Sequence, residues 1–278
     1  MRPIDSGLIF DRFSIFRLHM KQVTSTLAVV LATAGFSFAQ VQPNKQTPES
    51  SEIWEPVPPV VTPGVYSANT AGTTAPSDAV VLFDGKNADN WYANKGYAPT
   101  ASTDPLQWPV QNGVLYSSKT SSARSKQEFG DMQLHLEFQT PSKVEGNGQG
   151  RGNSGVFLQG RYEVQVLDNY QNPTYVNGMV GSIYKQAIPL VNPSRKPGEW
   201  QSYDIIFIAP RFNKAGLMLE PAYVTVLLNG ILVQNHVAVK GTTEYIGVPK
   251  VQAHGKGPIV LQDHGNPVGF RNIWVREL

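Results

Sequence analysis

From residue 79 onward the sequence breaks into short runs of period two separated by turn residues, and no stretch sustains a helical period. In residues 132–138, Leu134, Leu136 and Phe138 share one face while Gln133, His135 and Glu137 share the other, the pattern of a half-buried strand. Similar runs occupy residues 80–83, 113–116, 155–158, 162–167, 203–209, 223–228, 231–237, 257–262 and 270–276. Asn229-Gly230 between two of them accepts the positive φ angles of a type I′ turn and predicts a two-residue hairpin. Hydrophobic residues make up 41 % of the chain, enough for a core, and 25 Gly and 21 Pro suit many strands joined by turns. The fold expected is all-β, a two-sheet antiparallel jelly-roll sandwich over residues 77–278.

The first 76 residues are of another kind. An apolar run at 27–38 follows Met20-Lys21 and ends at Ser37-Phe38-Ala39, a small-x-small cleavage pattern. Residues 1–39 read as an export signal, too short in its apolar part to span a bilayer, with Met20 as the expected true start because Asp5 and Asp11 are foreign to a leader. The expected location is therefore the periplasm or the cell exterior, with no membrane insertion once the leader is removed. Residues 40–76 are rich in Pro, Thr, Ser and Ala, and the prolines between Glu55 and Pro63 forbid a helix or a central strand. They read as an extended arm, with Trp54 and Val60-Val61 hinting that part of it docks on the domain.

Charge and cysteine content exclude several functions. Four of the 23 basic and two of the 21 acidic residues fall in the leader, so the remainder carries 19 of each and offers no surface for nucleic acid or anionic lipid. There is no cysteine, hence no disulfide, thiolate metal site or cysteine nucleophile.

Three segments carry candidate chemistry. In residues 162–168, Glu163 and Gln165 face away from Tyr162, Val164 and Val166, and Asp168 joins them only through a bulge. Arg151 and Asn153 stand in a glycine-rich turn, where they are suited to meet ligand hydroxyls or simply to make the turn. Gln262 and His264 share a face at a strand end. Metal binding has weak support: His135, Glu137, Glu163, Asp168 and His264 are potential ligands of a divalent cation, but no metal-binding spacing is present.

These residues also carry a resemblance. Residues 81–86 (Val-Leu-Phe-Asp-Gly-Lys) with Trp91, residues 152–157 (Gly-Asn-Ser-Gly-Val-Phe), residues 162–168, 181–184 and 198–200, residues 261–265 (Leu-Gln-Asp-His-Gly) and residues 270–273 occur in the order seen in the 3-keto-disaccharide hydrolase domain family. The segment from about residue 77 to 278 is similar to that family, whose fold is a concanavalin A-like jelly roll. The resemblance implies an exported bacterial enzyme acting on a sugar oxidised at C3. A ketone there acidifies the C2 hydrogen, so the bond to the anomeric oxygen can break by elimination and water can add back. On that reading Glu163 and His264 are the catalytic pair, one as base and one as acid. Arg151, Asn153, Gln165, Asp168, Gln262 and Glu137 would bind substrate, and Tyr184 and Trp200 would either stack on the sugar or pack the core. A divalent cation held by Glu137, Glu163 or His264 is a further option. Two alternatives stand beside it. One is a carbohydrate-binding module without catalysis. The other is a retaining glycosidase with two carboxylates about 5 Å apart, for which Gln165 stands where an ionisable group is needed.

Overall fold

The computed structural model describes residues 47–60, 75–96 and 102–278, which belong to one compact unit spanning Lys45–Leu278. The expected leader, and Val61 of the arm, lie outside the described residues. In chain order the strands are β1 (Val80–Phe83), β2 (Trp91–Asn94), β3 (Val110–Gln111), β4 (Val114–Tyr116), β5 (Ser122–Phe129), β6 (Met132–Gln139), β7 (Ser154–Leu158) and β8 (Tyr162–Val166). They continue as β9 (Trp200–Ile208), β10 (Arg211–Phe212), β11 (Met218–Glu220), β12 (Ala222–Leu228), β13 (Ile231–Val239), β14 (Gly257–Leu261) and β15 (Gly269–Glu277). Among the described residues helix is confined to three 3-10 turns, and no helix is long and apolar enough to cross a membrane.

Two antiparallel sheets account for the architecture. One has eight strands in the order β13-β12-β9-β6-β15-β4-β3, with β1 also on β15; the other has five, β2-β5-β14-β7-β8. Their inner faces meet in one apolar core. Leu134, Leu136 and Phe138 of β6 and Ile205 and Phe207 of β9 pack toward Val156 and Leu158 of β7 and Val164 and Val166 of β8. Each such side chain contributes about 1.5–3 kcal/mol by leaving water. The Tyr162 and Phe207 rings touch across the sheets at 5.7 Å, and the Tyr203 hydroxyl donates to the Gln165 carbonyl at 2.5 Å. The hairpin at Asn229-Gly230 forms as expected, with φ of 55° and 78°.

Three local expectations change. The polar face of β6 is buried, not wet: His135 stacks on Trp274 and bonds Asp204 at 2.7 Å, and Glu137 pairs with Arg271 at 2.7 Å. β5, Ser-Ala-Arg-Ser-Lys-Gln-Glu-Phe, has no apolar alternation yet lies inside the five-stranded sheet, where pairing to β2 and β14 outweighs its composition. The loop at 209–221 folds into the β10–β11 ribbon.

The arm docks on the domain. Val60 bridges in parallel to Asn192, and the Trp54 ring meets Tyr175 edge-on at 6.2 Å. The buried Asn177 accepts from the Ile53 N–H at 3.1 Å and donates to the Ser51 carbonyl at 2.9 Å, while the Val176 N–H donates to the Ile53 carbonyl.

Candidate active site

The outer face of the five-stranded sheet forms the floor of a cavity of about 550 Å³. The register β7–β8 sets Gly155 opposite Gln165 and Phe157 opposite Glu163, so these four share that face while Ser154, Val156, Val164 and Val166 turn to the core. The chain after β14 continues the same ladder: the Gln262 N–H donates to the Gly155 carbonyl at 2.9 Å, which puts Gln262 beside them and His264 at the rim. The exposed edge of β8 is covered by the segment 181–184, with the Gln165 N–H donating to the Ser182 carbonyl and the Tyr184 N–H to the Glu163 carbonyl. Glu163, Gln165 and His264 line this one cavity, together with Asn153, Tyr184 and Gln262.

Glu163 lies flat over Gly155. A Cβ at Gly155 would sit 3.0 Å from the Glu163 carboxyl carbon, so the glycine is required by close approach rather than by its backbone angles. The Gln165 amide reaches the Glu163 carboxyl at 3.0 Å and the Ser154 carbonyl at 2.8 Å; with its nitrogen toward them it donates to both. The opposite orientation sets its oxygen against two acceptors and lets its nitrogen donate to Gln149 Oε1 at 2.9 Å. Burial pushes the Glu163 carboxyl up to about 8, so it is largely protonated at neutral pH. His264 moves the other way. The protein around the rim dehydrates its imidazole and lowers its pKa below 6.5, leaving the ring neutral.

Two hydroxyls complete the wall. The Tyr175 and Tyr184 phenol oxygens are 2.6 Å apart, so one donates to the other and one O–H remains for a ligand. Burial raises both phenols, which stay protonated donors. One phenol of the Tyr175–Tyr184 pair thus presents a hydrogen-bond donor to the cavity. Asn153 Oδ1 and Gln262 Oε1 are buried acceptors with no partner among the described residues, and both residues line the cavity. Asn153 is fixed by its own N–H donating to Asn266 at 2.7 Å and its amide donating to the Gln149 carbonyl at 2.7 Å. An unpaired buried acceptor costs about 1–3 kcal/mol, so this pair calls for hydroxyl donors from a ligand.

Four expected site residues lie elsewhere. Arg151 Nε bonds Asp168 at 2.6 Å and Arg151 Nη2 donates to the Tyr170 carbonyl, and both side chains line a separate cavity of about 400 Å³. The β7–β8 register is continuous, so no bulge brings Asp168 to Glu163's face. Glu137 and Trp200 are across the sandwich, on the outer face of the eight-stranded sheet, where the Arg271 guanidinium lies 4.0 Å from the Trp200 ring. Arg151→Ala would strand the buried Asp168 carboxylate. We expect a loss of about 3 kcal/mol in stability, read as a lowered urea midpoint at unchanged slope.

With Glu137 held by Arg271, it cannot join Glu163 or His264 around a cation. Among the described residues no group of three or more His, Cys, Asp or Glu side chains is arranged to hold a metal. The described residues do not fit a protein-held divalent cation. Gln149, Tyr175, Thr243, Tyr245 and Glu52 line the cavity without having been expected there. They come from turns and the arm, where no period marks which side chains converge.

Residues 78–276 match the model of the 3-keto-alpha-glucoside-1,2-lyase-like domain. The chain belongs to that family. A 3-keto-disaccharide hydrolase of Bacteroides thetaiotaomicron is 24 % identical over 307 residues, covering 93 % of this chain and 100 % of that protein. Among solved structures, a candidate glycosyl hydrolase from Parabacteroides distasonis is 53 % identical, with a TM-score of 0.71 over 84 % of this chain and 97 % of its own. A second one from that organism, 18 % identical at a TM-score of 0.51, shares the fold. These likenesses extend the family's concanavalin A-like sandwich to this chain.

Proposed function

We propose that this chain is an exported enzyme that cleaves glycosidic bonds of 3-keto-glycosides or 3-keto-disaccharides by elimination and water addition. Export rests on the leader pattern of residues 1–39. The substrate class rests on family membership and on the Bacteroides thetaiotaomicron relative. The observation that carries the mechanism is one cavity that brings Glu163 and His264 together, where burial raises the pKa of the carboxyl and lowers that of the imidazole. Two groups with pKa values pushed past one another divide acid and base work between them.

His264 takes the C2 hydrogen. The enolate oxygen at C3 receives the free O–H of the Tyr175–Tyr184 pair, a donor already in place before charge develops. The C1–O bond breaks, and the leaving oxygen takes the proton of Glu163. The product at this stage is an enone, with Glu163 ionised and His264 protonated. Water then adds to C1, losing a proton to Glu163, while C2 regains a proton from His264. The net change is hydrolysis, and both groups return to their starting states. Asn153 and Gln262 accept from substrate hydroxyls, and Gln165 orients the Glu163 carboxyl.

The pH profile follows from the two shifts. The rate should rise with pH through the lowered pKa of His264, because the base is the neutral ring. It should fall through about pH 8 as Glu163 loses its proton. Turnover of a 3-keto-glucoside across pH 5–10 measures this. A profile flat from pH 6 to 10, or cleavage of the unoxidised glycoside at equal rate, contradicts the reading.

A further inference from the structure

The family match begins at residue 78, yet the cavity has a wall from residue 52. The floor (Glu163, Gln165, Gln262) belongs to the sheet, whereas Glu52 of the arm and Tyr245 of the loop after β13 stand at the mouth. Glu52 is half-buried, and its carboxylate has no hydrogen-bond partner among the described residues. Its backbone is nevertheless fixed on both sides, since Asn177 and Val176 bind the chain at Ser51 and Ile53. Tyr245 is 57 % exposed, a large amphipathic ring left open to solvent. Lys185 ties the two walls together. Its ammonium donates to the Pro48 carbonyl at 2.7 Å and the Tyr245 carbonyl at 3.0 Å, and sits 5.0 Å from the Tyr245 ring centre.

A bond broken on the floor leaves one half of the substrate in the depth and the other at the mouth. We propose that the N-terminal arm builds the subsite for the departing half: Glu52 accepts from its hydroxyls and Tyr245 packs against its ring. The occupant is a second sugar, because a carboxylate whose oxygens accept no hydrogen bond from the described residues, together with an open aromatic ring, matches a polyhydroxylated ring with apolar C–H faces and offers little to a small alkyl group. The arm is then a part of the enzyme's specificity, supplied from outside the catalytic domain. The geometry holds Glu52 in place without substrate, so the subsite costs little ordering when it is filled.

This inference rests on the proposed reaction, and the experiment separates the two. The full chain and its Glu52→Gln and Tyr245→Ala variants are assayed on a 3-keto-α-glucosyl-glucose and on methyl 3-keto-α-glucoside. The ratio of kcat/KM, disaccharide over methyl glycoside, is expected to fall at least tenfold in each variant, mainly through KM. Equal losses on both substrates, or no loss on either, overturn the subsite. An unaltered chain that turns over neither substrate overturns the reaction instead. In that case calorimetry with the unoxidised disaccharide decides the subsite: Glu52→Gln must weaken its binding at least fivefold at an unchanged melting temperature, and unweakened binding rejects it.

Discussion

Glu163→Gln should lower kcat/KM on a 3-keto-disaccharide by roughly 10²–10⁴-fold, the range a positioned general acid contributes. With a nitrophenyl aglycone, which departs without a proton, the loss should shrink to about tenfold or less. That contrast separates an acid from a base, because no leaving group relieves the need to remove the C2 hydrogen. The substitution keeps the shape above Gly155, so the variant is expected to fold. It should also alter stability in a defined direction. The native carboxyl, at about 8, binds its proton more tightly than the unfolded one at 4.5, so that contribution to stability is complete below pH 4.5 and is lost as pH rises through 8. Glu163→Gln has no such loss, and its melting temperature relative to the parent should improve from pH 6 to pH 9.

His264→Ala should also lose roughly 10²–10⁴-fold, but on both aglycones alike, because the base is needed before either can leave. His264 stands at the rim of the cavity and is partly open to solvent, so removal of its ring leaves a position that small bases can enter. Added imidazole should restore part of the rate, with a dependence on the fraction of neutral imidazole. Loss restricted to the disaccharide, with no recovery in imidazole, would assign His264 to leaving-group or aglycone contact instead.

Much of this protein is written in its period of two. The alternation at 162–167 sends Glu163 and Gln165 to one side and Val164 and Val166 to the other, and the sandwich keeps that division with no bulge. Asn229-Gly230 specifies its turn by φ alone. The pattern is silent where burial does not follow composition. β5 is polar because its flanking strands supply the partners, and the face of β6 bearing His135 and Glu137 is dry because Trp274 and Arg271 cover it. Arg151 and Asp168 illustrate the same limit from the site's side. Both stand within three residues of cavity residues in sequence, yet they pair with each other and line a neighbouring cavity. The Tyr175–Tyr184 hydrogen bond and Glu52 of the arm depend on how turns converge, a matter of tertiary packing with no local signature.

The central claim is that the C2 hydrogen is removed during cleavage. It is tested most directly with a 3-keto-glucoside carrying deuterium at C2, following the isotope in the released 3-keto-sugar at early times. The account predicts aglycone release slowed by a primary isotope effect, with deuterium replaced by solvent hydrogen to the extent that the proton on His264 exchanges before it returns to C2. Cleavage with the deuterium fully retained and no isotope effect would contradict it, and would mean direct displacement at C1.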